Sequence, residues 1–259
     1  MILTGDYHTH TVFSHGKGTI LENANEAKKI GLKEIAITDH GYGHHAFGIK
    51  QKKLPLMKKL CEEATKETGV NVLLGLECNI LGISGKTDMK TEDLDKFDVY
   101  LAGIHKFILY DKTAEWFKLY GANLITRKLK KDKPSKSLIK RDTEVYINAI
   151  KNNPIDILAH PNYCFYADVV EVAKCCRDYN TLFEIDARKE HLTDEEWLRV
   201  AETGVKFVID SDAHKPLNVG KIDSVIKMIE RTSFPVNQIV NINGEMPKNM
   251  RFSEYKKHM

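Results

Sequence analysis

Two histidines separated by one residue stand at the end of the first apolar run, in the segment Asp6-Tyr7-His8-Thr9-His10. If this run is a β-strand, alternate side chains point to the same face, so His8 and His10 lie side by side. Two adjacent imidazoles form a chelating pair for a divalent transition metal. This pair, with His15 shortly after it, is the first indication of a metal site.

Residues of the same types follow the later apolar runs. A single histidine after a strand is more often structural than a ligand, but seven of the 11 histidines follow this pattern. The further candidates are His40, Glu77, His105, His160, Glu184, Asp186, Asp212 and His214. Seven imidazoles with Glu77 and Asp212 already exceed what one four- or five-coordinate ion can bind, so two or three ions are implied. Histidine with carboxylate suits Zn²⁺, Mn²⁺ or Fe²⁺, and suits Mg²⁺ or Ca²⁺ poorly.

Short β-branched runs that alternate with helical patterns supply the elements that would position these residues. Strands are predicted at Gly5–Thr11, Glu34–His40, Asn71–Ile80, Val99–His105, Asp156–Pro161, Thr181–Ala187 and Lys206–His214, and helices at Ile20–Ile30, Leu54–Thr68, Ala167–Tyr179, Asp194–Thr203 and Gly220–Glu230. This alternation favours an α/β fold with a parallel sheet and right-handed crossovers. Gly31, Gly69 and Gly204 stand where helices should end,. We expect a closed or nearly closed barrel, with the site at the C-terminal ends of its strands.

One connection is longer than a crossover helix requires, since about fifty residues separate His105 from His160,. We expect one domain over residues 1–259, with a basic helical insertion at about 106–150,. Two helices joined by a solvated basic loop, or a basic lid over an anionic substrate, would both explain it. Trp116, Phe117 and Tyr120 have helical spacing and are expected to be core contacts of the insertion. Its basic residues are Lys106, Lys112, Lys118, Arg127, Lys128, Lys130, Lys131, Lys133, Lys136, Lys140 and Arg141.

Composition narrows the class of protein further. The net charge is only +3, with 39 basic and 36 acidic residues, which argues against a dedicated nucleic-acid enzyme,. No apolar run reaches the roughly 20 residues of a membrane span, and the first residues lack the features of a signal peptide, so we expect a cytoplasmic protein without a membrane partner. The five cysteines form no CxxC pair and are expected to be reduced and buried,.

The candidate residues lie in short motifs that follow one another along the chain: Asp6-Tyr7-His8-Thr9-His10-Thr11, His15, Ile37-Thr38-Asp39-His40-Gly41, Gly75-Leu76-Glu77, Gly103-Ile104-His105, Leu158-Ala159-His160-Pro161 and Asp210-Ser211-Asp212-Ala213-His214. These motifs resemble, in order, those of the PHP (polymerase and histidinol phosphatase) family, and most closely its stand-alone, YcdX-type, histidinol-phosphatase-like phosphoesterases. The resemblance extends from about Asp6 to Gly220 and implies a distorted (β/α)₇, TIM-like barrel with a trinuclear metal site at the C-terminal face of the strands.

Carried over by position, the resemblance implies a ligand set for each of three ions. The first ion takes His8, His10, Glu77 and Asp212; Glu77 bridges to a second that also takes His105 and His160; the third takes His15, His40 and His214. All nine positions hold the expected residue type. This family pattern therefore implies an intact metal centre.

The sixth strand departs from the family pattern, because relatives often carry Glu-Ile-Asn where this chain has Glu184-Ile185-Asp186. A charged Asp186 could ligate, orient a water or repel a phosphate, which leaves the substrate open. Arg188 and Lys189 could bind an anion by charge-assisted hydrogen bonds, and His191 could act as a general acid. Asp212, His191 and Arg188 are the predicted catalytic residues.

Two further pairs of residues near the strand ends are assigned supporting roles. Asp39 and Asp210 are expected to orient histidines. His44 and His45 are more consistent with a structural role than with substrate contact.

The predicted reaction is phosphoester hydrolysis. Clustered cations make hydroxide available near neutral pH and neutralise phosphoryl oxygens, so a hydroxide shared by two ions would attack phosphorus while the third ion holds a phosphate oxygen. A phosphomonoesterase of a small phosphorylated metabolite is favoured, histidinol phosphate being the family's best-known candidate. The alternatives are a phosphodiesterase or nuclease, a metal-dependent amidohydrolase, and a non-catalytic metal-binding regulatory protein.

Overall fold

The computed structural model describes residues 1–106, 108–128 and 134–259. Within these residues, seven parallel strands lie side by side in chain order. They are β1 (Gly5–Thr9), β2 (Glu34–Ile37), β3 (Asn71–Asn79), β4 (Val99–Gly103), β5 (Ile157–Leu158), β6 (Leu182–Asp186) and β7 (Phe207–Asp210). All seven predicted strands are present, and each ends earlier than predicted because the residues that follow it turn into the loops of one barrel face.

Helices connect the strands and cover the outside of the sheet. They are α1 (Ile20–Lys29), α2 (Leu54–Thr68), α3 (Thr113–Glu115), α4 (Ala122–Lys128), α5 (Lys136–Asn152), α6 (Val169–Asp178), α7 (Asp194–Ala201), α8 (Asp223–Thr232) and α9 (Arg251–Lys256). Short 3₁₀ turns lie at Gln51–Lys53, Thr91–Lys96, Pro216–Asn218 and Val236–Gln238. Gly31, Gly69 and Gly204 follow α1, α2 and α7 with φ of 82°, 77° and 77°, the left-handed conformation that glycine adopts without a steric penalty,.

The sheet closes into a barrel, as predicted. Thr9 of β1 forms a parallel bridge with Ala213, just after β7. At the other end of this seam, Asn241 fills the gap: its Nδ2 donates to the carbonyls of Gly5 (2.9 Å) and Ile209 (2.7 Å), and its Oδ1 accepts the Ile209 N–H (3.0 Å). The predicted (β/α)₇ barrel is thus confirmed, with a side chain from beyond the last strand completing it.

A bulge in β1 determines which of its side chains face the barrel interior. Asp6 pairs with Ile35 and Thr9 with Ile37, so β1 has one residue more than β2 between the paired positions. Such a bulge re-aims the side chains that follow it. Tyr7 joins a small inner apolar cluster, whereas His8, the next residue, reaches Glu77 at the mouth of the barrel.

In the part that the structure describes, the insertion between β4 and β5 contains two helical segments. The first runs from α3 through a π-helical stretch, Trp116–Gly121, into α4, and the second is α5. Leu119 and Tyr120 are buried, but Trp116 and Phe117 are 40% and 65% exposed, so the prediction that these two are core contacts is wrong. The wider π-helical turn moves the apolar face away from the positions that α-helical spacing predicts. The predicted basic loop, with Lys130, Lys131 and Lys133, lies outside the described residues.

Two expectations about the chain as a whole can be compared with the structure. The five cysteines are buried and free, as predicted. None of the helices in the described ranges is long and apolar enough to cross a membrane.

Candidate metal centre

Glu77, near the end of β3, lies at the centre of the predicted site. Its Oε1 is 3.2 Å from Nε2 of His8 and 2.8 Å from Nε2 of both His105 and His160. The Glu77 carboxylate is completely buried, and the three rings come from the ends of β1, β4 and β5. The barrel therefore brings together residues that are up to 152 positions apart, from His8 to His160, around one carboxylate oxygen.

The other oxygen of Glu77 faces a second group of rings. Oε2 lies 2.7 Å from Nδ1 of His40 and 3.6 Å from Nε2 of His10. The ring of His15 stacks on His40 with centroids 4.8 Å apart, and it lies 4.1 Å from the ring of His214. His15, the residue in the loop after β1, is thus placed beside His40 and His214.

Asp212 closes the cluster on the side of β7. Its Oδ1 is 3.0 Å from Nε2 of His10 and 3.6 Å from Nε2 of His8. Its Oδ2 accepts from Arg188 Nη1 at 2.9 Å and from Lys189 Nζ at 2.5 Å. One oxygen of this carboxylate thus faces histidines and the other faces two cations.

The arrangement fits a divalent metal centre by the chemistry of its donor atoms. Nε2 of His8 and Nε2 of His10 face each other at 3.2 Å. Among the described residues, the buried atoms Glu77 Oε2 and Asp212 Oδ1 accept no hydrogen bond of suitable angle, although ring nitrogens of His40 and His10 lie 2.7 and 3.0 Å from them. Buried lone pairs without a donor are costly unless a cation satisfies them. Donor atoms lie within 4.8 Å of one another in three groups: His10, His40 and His214; His8, His10 and Glu77; and His40, Glu77 and His105.

The protonation states of His10, His160, Glu77 and Asp212 suit the same purpose, whereas the pKa of His8 is raised well above the usual range, against the effect of burial, by Glu77, Glu184 and Asp212. Burial lowers the pKa of His10 and of His160 well below the usual range of histidine. Burial alone would raise the pKa of the carboxylates, but the surrounding histidines hold the pKa of Glu77 well below its usual range, and Lys189 does the same for Asp212. Neutral imidazoles and ionised carboxylates are the forms that bind metals.

Two ligand candidates have unusual backbone conformations. His160 has φ of 31° and Asp212 has φ of 45°, both in the left-handed region that residues with a side chain rarely adopt,. Ile157 belongs to the inner apolar cluster, so simple alternation along β5 would turn His160 outward,. The left-handed conformation instead aims its ring at Glu77. Such conformations persist only where the surroundings impose them, and they concentrate at functional sites.

The two aspartates expected to orient histidines do not contact a ligand ring directly. Asp210 accepts the N–H of Tyr7 (2.6 Å), and Asp39 contacts the loop before His15 rather than a ring. Neither carboxylate contacts a ligand histidine ring; both bind backbone or hydroxyl groups of neighbouring segments, and Asp39 acts on His15 through the loop that carries it.

Asn79 and Glu184 make the contacts to histidine that were expected of these aspartates. The Oδ1 of Asn79 is 2.9 Å from Nδ1 of His105, and Glu184 Oε1 is 2.6 Å from Nδ1 of His8. A signal existed for Asn79, which lies two residues after Glu77 in β3 and so points to the same face.

The predicted anion-binding residues lie at the rim of the cluster. Arg188 is 44% exposed in its side chain and Lys189 is 12% exposed. The Lys189 ammonium also lies 4.8 Å from the centre of the Tyr163 ring, which neighbours His160. Asp186 accepts the backbone N–H groups of both basic residues, at 2.7 and 3.0 Å.

The environment of Asp186 bears on its expected repulsion of phosphate. Burial and the nearby Asp212 raise the pKa of Asp186 to about 8. Its protonated form carries no charge that would repel an anion.

His191 has contacts that disagree with a role as general acid. Its Nδ1 lies 2.7 Å from the carbonyl of Pro161 and its Nε2 accepts the N–H of Asp186 at 3.4 Å, so both ring nitrogens bind backbone. Burial lowers the pKa of His191 to about 4, and the ring packs edge-on against Trp197. These contacts give His191 a structural role in the loop after β6.

His44 is also structural in its contacts. It is buried and stacks on His40, with ring centroids 5.1 Å apart, and its Nδ1 accepts the N–H of Phe47 at 3.2 Å.

Comparison with known proteins adds similarities at the level of family and fold. The model of the PHP domain family matches residues 6–191. A probable phosphatase of Caldanaerobacter subterraneus subsp. tengcongensis is 30% identical over 258 residues, covering 94% of this chain and 89% of that protein. A probable phosphatase of Acetivibrio thermocellus is 31% identical over 268 residues, covering 97% of this chain and 94% of that protein. The crystal structure of histidinol phosphate phosphatase from Lactococcus lactis, with zinc, L-histidinol and phosphate, has 16% identity, covers 91% of this chain and 95% of that chain, and has a TM-score of 0.58.

Proposed function

This chain belongs to the PHP domain family and is a metal-dependent phosphoesterase, and on that premise we propose that it hydrolyses phosphomonoesters of a small metabolite at a centre of two or three divalent transition-metal ions. The observation that carries the proposal is the clustering of seven histidines around Glu77 and Asp212, with cations at the rim. Zinc, manganese and iron suit this mixture of imidazole and carboxylate.

We assign the ligands as three overlapping groups. His8, His10, Glu77 and Asp212 form the first, Glu77 with His105 and His160 the second, and His15, His40 and His214 the third. The contacts of Glu77 support its bridging position, since its two oxygens face different histidines. Ions in these groups would lower the pKa of bound water and neutralise the charge on phosphoryl oxygens.

The remaining steps are assigned to side chains of the chain itself. Arg188 and Lys189 share the outward oxygen of Asp212, so an incoming phosphate can take over their N–H donors without displacing the histidines,. Arg188 orients the phosphoryl group and Lys189 binds the oxygen nearer the cluster. Because both nitrogens of His191 bind backbone, the proton for the leaving alcohol comes from solvent in this proposal.

The test is a substrate panel with purified protein loaded with zinc or manganese. The panel contains an aryl phosphomonoester, the corresponding diester, histidinol phosphate and an aryl amide. We expect phosphate release from monoesters, and an effect of His8→Ala of at least about 10³-fold on kcat/KM. His258→Ala, at an exposed position in the C-terminal segment, is the matched control and should retain the parent activity.

Other results would overturn the proposal in recognisable ways. Faster cleavage of the diester would indicate a phosphodiesterase, and cleavage of the amide an amidohydrolase. Bound metal without turnover of any of these substrates would favour a regulatory metal-binding protein.

A further inference from the structure

We infer that Glu184 is a positioning residue that orients two of the proposed ligands, His8 and His160, at the same time. Only an ionised carboxylate can do this, because both of its oxygens must accept a hydrogen bond. The inference rests on the proposed function, because it concerns the ligands assigned there. The three ligand sets implied by the family resemblance do not include Glu184.

The contacts of Glu184 link two parts of the cluster. Its side chain, in β6, is completely buried. Oε1 lies 2.6 Å from Nδ1 of His8, and Oε2 accepts the backbone N–H of His160 at 2.5 Å. Each oxygen of the carboxylate therefore serves a different proposed ligand.

The first contact sets which nitrogen of His8 is free. An ionised carboxylate only accepts hydrogen bonds, so Nδ1 of His8 must carry the hydrogen that it donates to Glu184. In the neutral ring, Nε2 then presents its lone pair. That atom lies 3.2 Å from both Glu77 Oε1 and His10 Nε2, in the middle of the cluster. A carboxylate that fixes the tautomer of a ligand histidine in this way also makes it a stronger donor.

The second contact holds an unfavourable backbone conformation. His160 has φ of 31°, which a residue with a side chain rarely adopts, and its N–H is held by Glu184,. In this conformation Nε2 of His160 reaches Oε1 of Glu77 at 2.8 Å. The same carboxylate thus determines a ring tautomer on β1 and a backbone direction after β5.

An amide in place of the carboxylate cannot satisfy both contacts. If the oxygen of a glutamine accepted from His8, its NH₂ group would face the N–H of His160, donor against donor. If the oxygen instead accepted from His160, the NH₂ group would donate to Nδ1 of His8 and move the ring hydrogen to Nε2. In that second tautomer Nε2 cannot bind a metal.

The experiment compares Glu184→Gln with Asp156→Asn. Asp156 is a matched control, since it is also a buried carboxylate whose two oxygens accept backbone N–H groups, from Phe252 (2.7 Å) and Tyr100 (3.0 Å). It precedes β5, so it lies at the barrel end opposite to the cluster. Both substitutions place an amide where two hydrogen-bond acceptors are needed, but of the two residues only Glu184 contacts proposed ligands.

Two measurements are made on each variant. Calorimetric titration of zinc into metal-free protein gives affinity, and ¹⁵N NMR of the histidine rings gives the tautomer of His8 at a pH at which it is neutral. We expect Glu184→Gln to weaken zinc binding about 10- to 100-fold and to move the His8 hydrogen to Nε2. Asp156→Asn should change neither, although it lowers the melting temperature.

Glu184→Asp is the alternative test of the inference if Glu184→Gln does not fold. It keeps an acceptor-only group, so His8 should keep its hydrogen on Nδ1 while zinc affinity falls. Parent-like zinc affinity with the Nδ1–H tautomer in Glu184→Gln would overturn the inference, and so would the Nε2–H tautomer in Glu184→Asp. Failure of the parent protein to bind zinc would instead count against the proposed function.

Discussion

Removing the Asp39 carboxylate should release the loop that carries His15. This loop is tied to the end of β2 by three hydrogen bonds to Asp39: from Thr11 N (2.7 Å), from Thr11 Oγ1 (2.6 Å) and from Ser14 Oγ (2.5 Å). Thr11 is completely buried. Asp39→Ala therefore leaves the N–H and the hydroxyl of Thr11 without an acceptor and out of contact with water.

The magnitude follows from those two unpaired groups. Each buried donor left without a partner costs about 1–3 kcal/mol, so we expect the free energy of unfolding to fall by roughly 2–6 kcal/mol. The loop can recover part of this by moving its donors into water, and that movement takes His15 away from His40 and His214. We therefore expect the affinity of the third proposed ion to fall about 10- to 100-fold.

The assay must show which ion is affected. Zinc occupancy can be measured by anomalous scattering from crystals of each variant, alongside a zinc titration in solution. Asp88→Ala is the matched comparison, because Asp88 also accepts three hydrogen bonds, from Gly43 N (2.6 Å), Asn79 N (2.8 Å) and Asn79 Nδ2 (2.5 Å). Since Asn79 contacts His105, Asp88→Ala should instead lower the affinity for the second proposed ion.

Full zinc occupancy beside His15 in Asp39→Ala would contradict this prediction, and so would loss of the same ion in both variants. Ser14→Ala, which removes a single hydrogen bond to Asp39, gives a milder form of the test if Asp39→Ala does not fold. Ser14→Ala should lower the affinity for the third proposed ion less than Asp39→Ala does.

Two further predictions concern acid stability and substrate binding. Burial raises the pKa of Asp142 from 3.8 to about 6, against the opposing effect of Arg141 and Arg127. A raised pKa favours the folded protein below pH ~4, and this contribution of about 3 kcal/mol to the free energy of unfolding is lost as the pH rises to about 6. Asp142→Asn should remove this pH dependence, as measured by denaturant unfolding between pH 4 and 7. An equal pH dependence in the variant and the parent would contradict the assignment. Lys189→Met should raise KM for an aryl phosphate about 10- to 100-fold, since it removes a charge-assisted donor that lies 2.5 Å from Asp212,; an unchanged KM in steady-state kinetics would exclude Lys189 from phosphate binding.

Much of the fold could be predicted from the sequence because its signals are local. Helix α2 was predicted with the observed bounds, Leu54–Thr68, and the glycines that end α1, α2 and α7 mark turns through their own conformational preference,. The clustering of histidines and acids also follows from local facts, since each stands after a strand and parallel strands end on one barrel face.

What the sequence could not supply depends on contacts between distant residues. The hydrogen bond of Glu184 to His8 joins positions 176 residues apart, and no spacing rule connects them. The bulge in β1 is defined by its pairing with β2, so alternation within β1 alone did not indicate that Tyr7 and His8 both turn away from the helices,. Asp39 and Asp210 stood at positions where an orienting carboxylate was expected, and only the packing shows that neither touches a ligand ring. Asp39 acts on His15 through its loop, whereas Glu184 and Asn79 contact the rings of His8 and His105.

The seam closed by Asn241 has a consequence for how the molecule folds. The contact of Asn241 with Gly5 joins positions 236 residues apart, and contacts of such long range carry a high loop-closure entropy and tend to form late,. His10 stands on one side of this seam and Asp212 on the other, with the two side chains 3.0 Å apart. An ion held by both would act as a cross-link between the first and last strands, so the centre that performs the chemistry would also secure the step that completes the barrel.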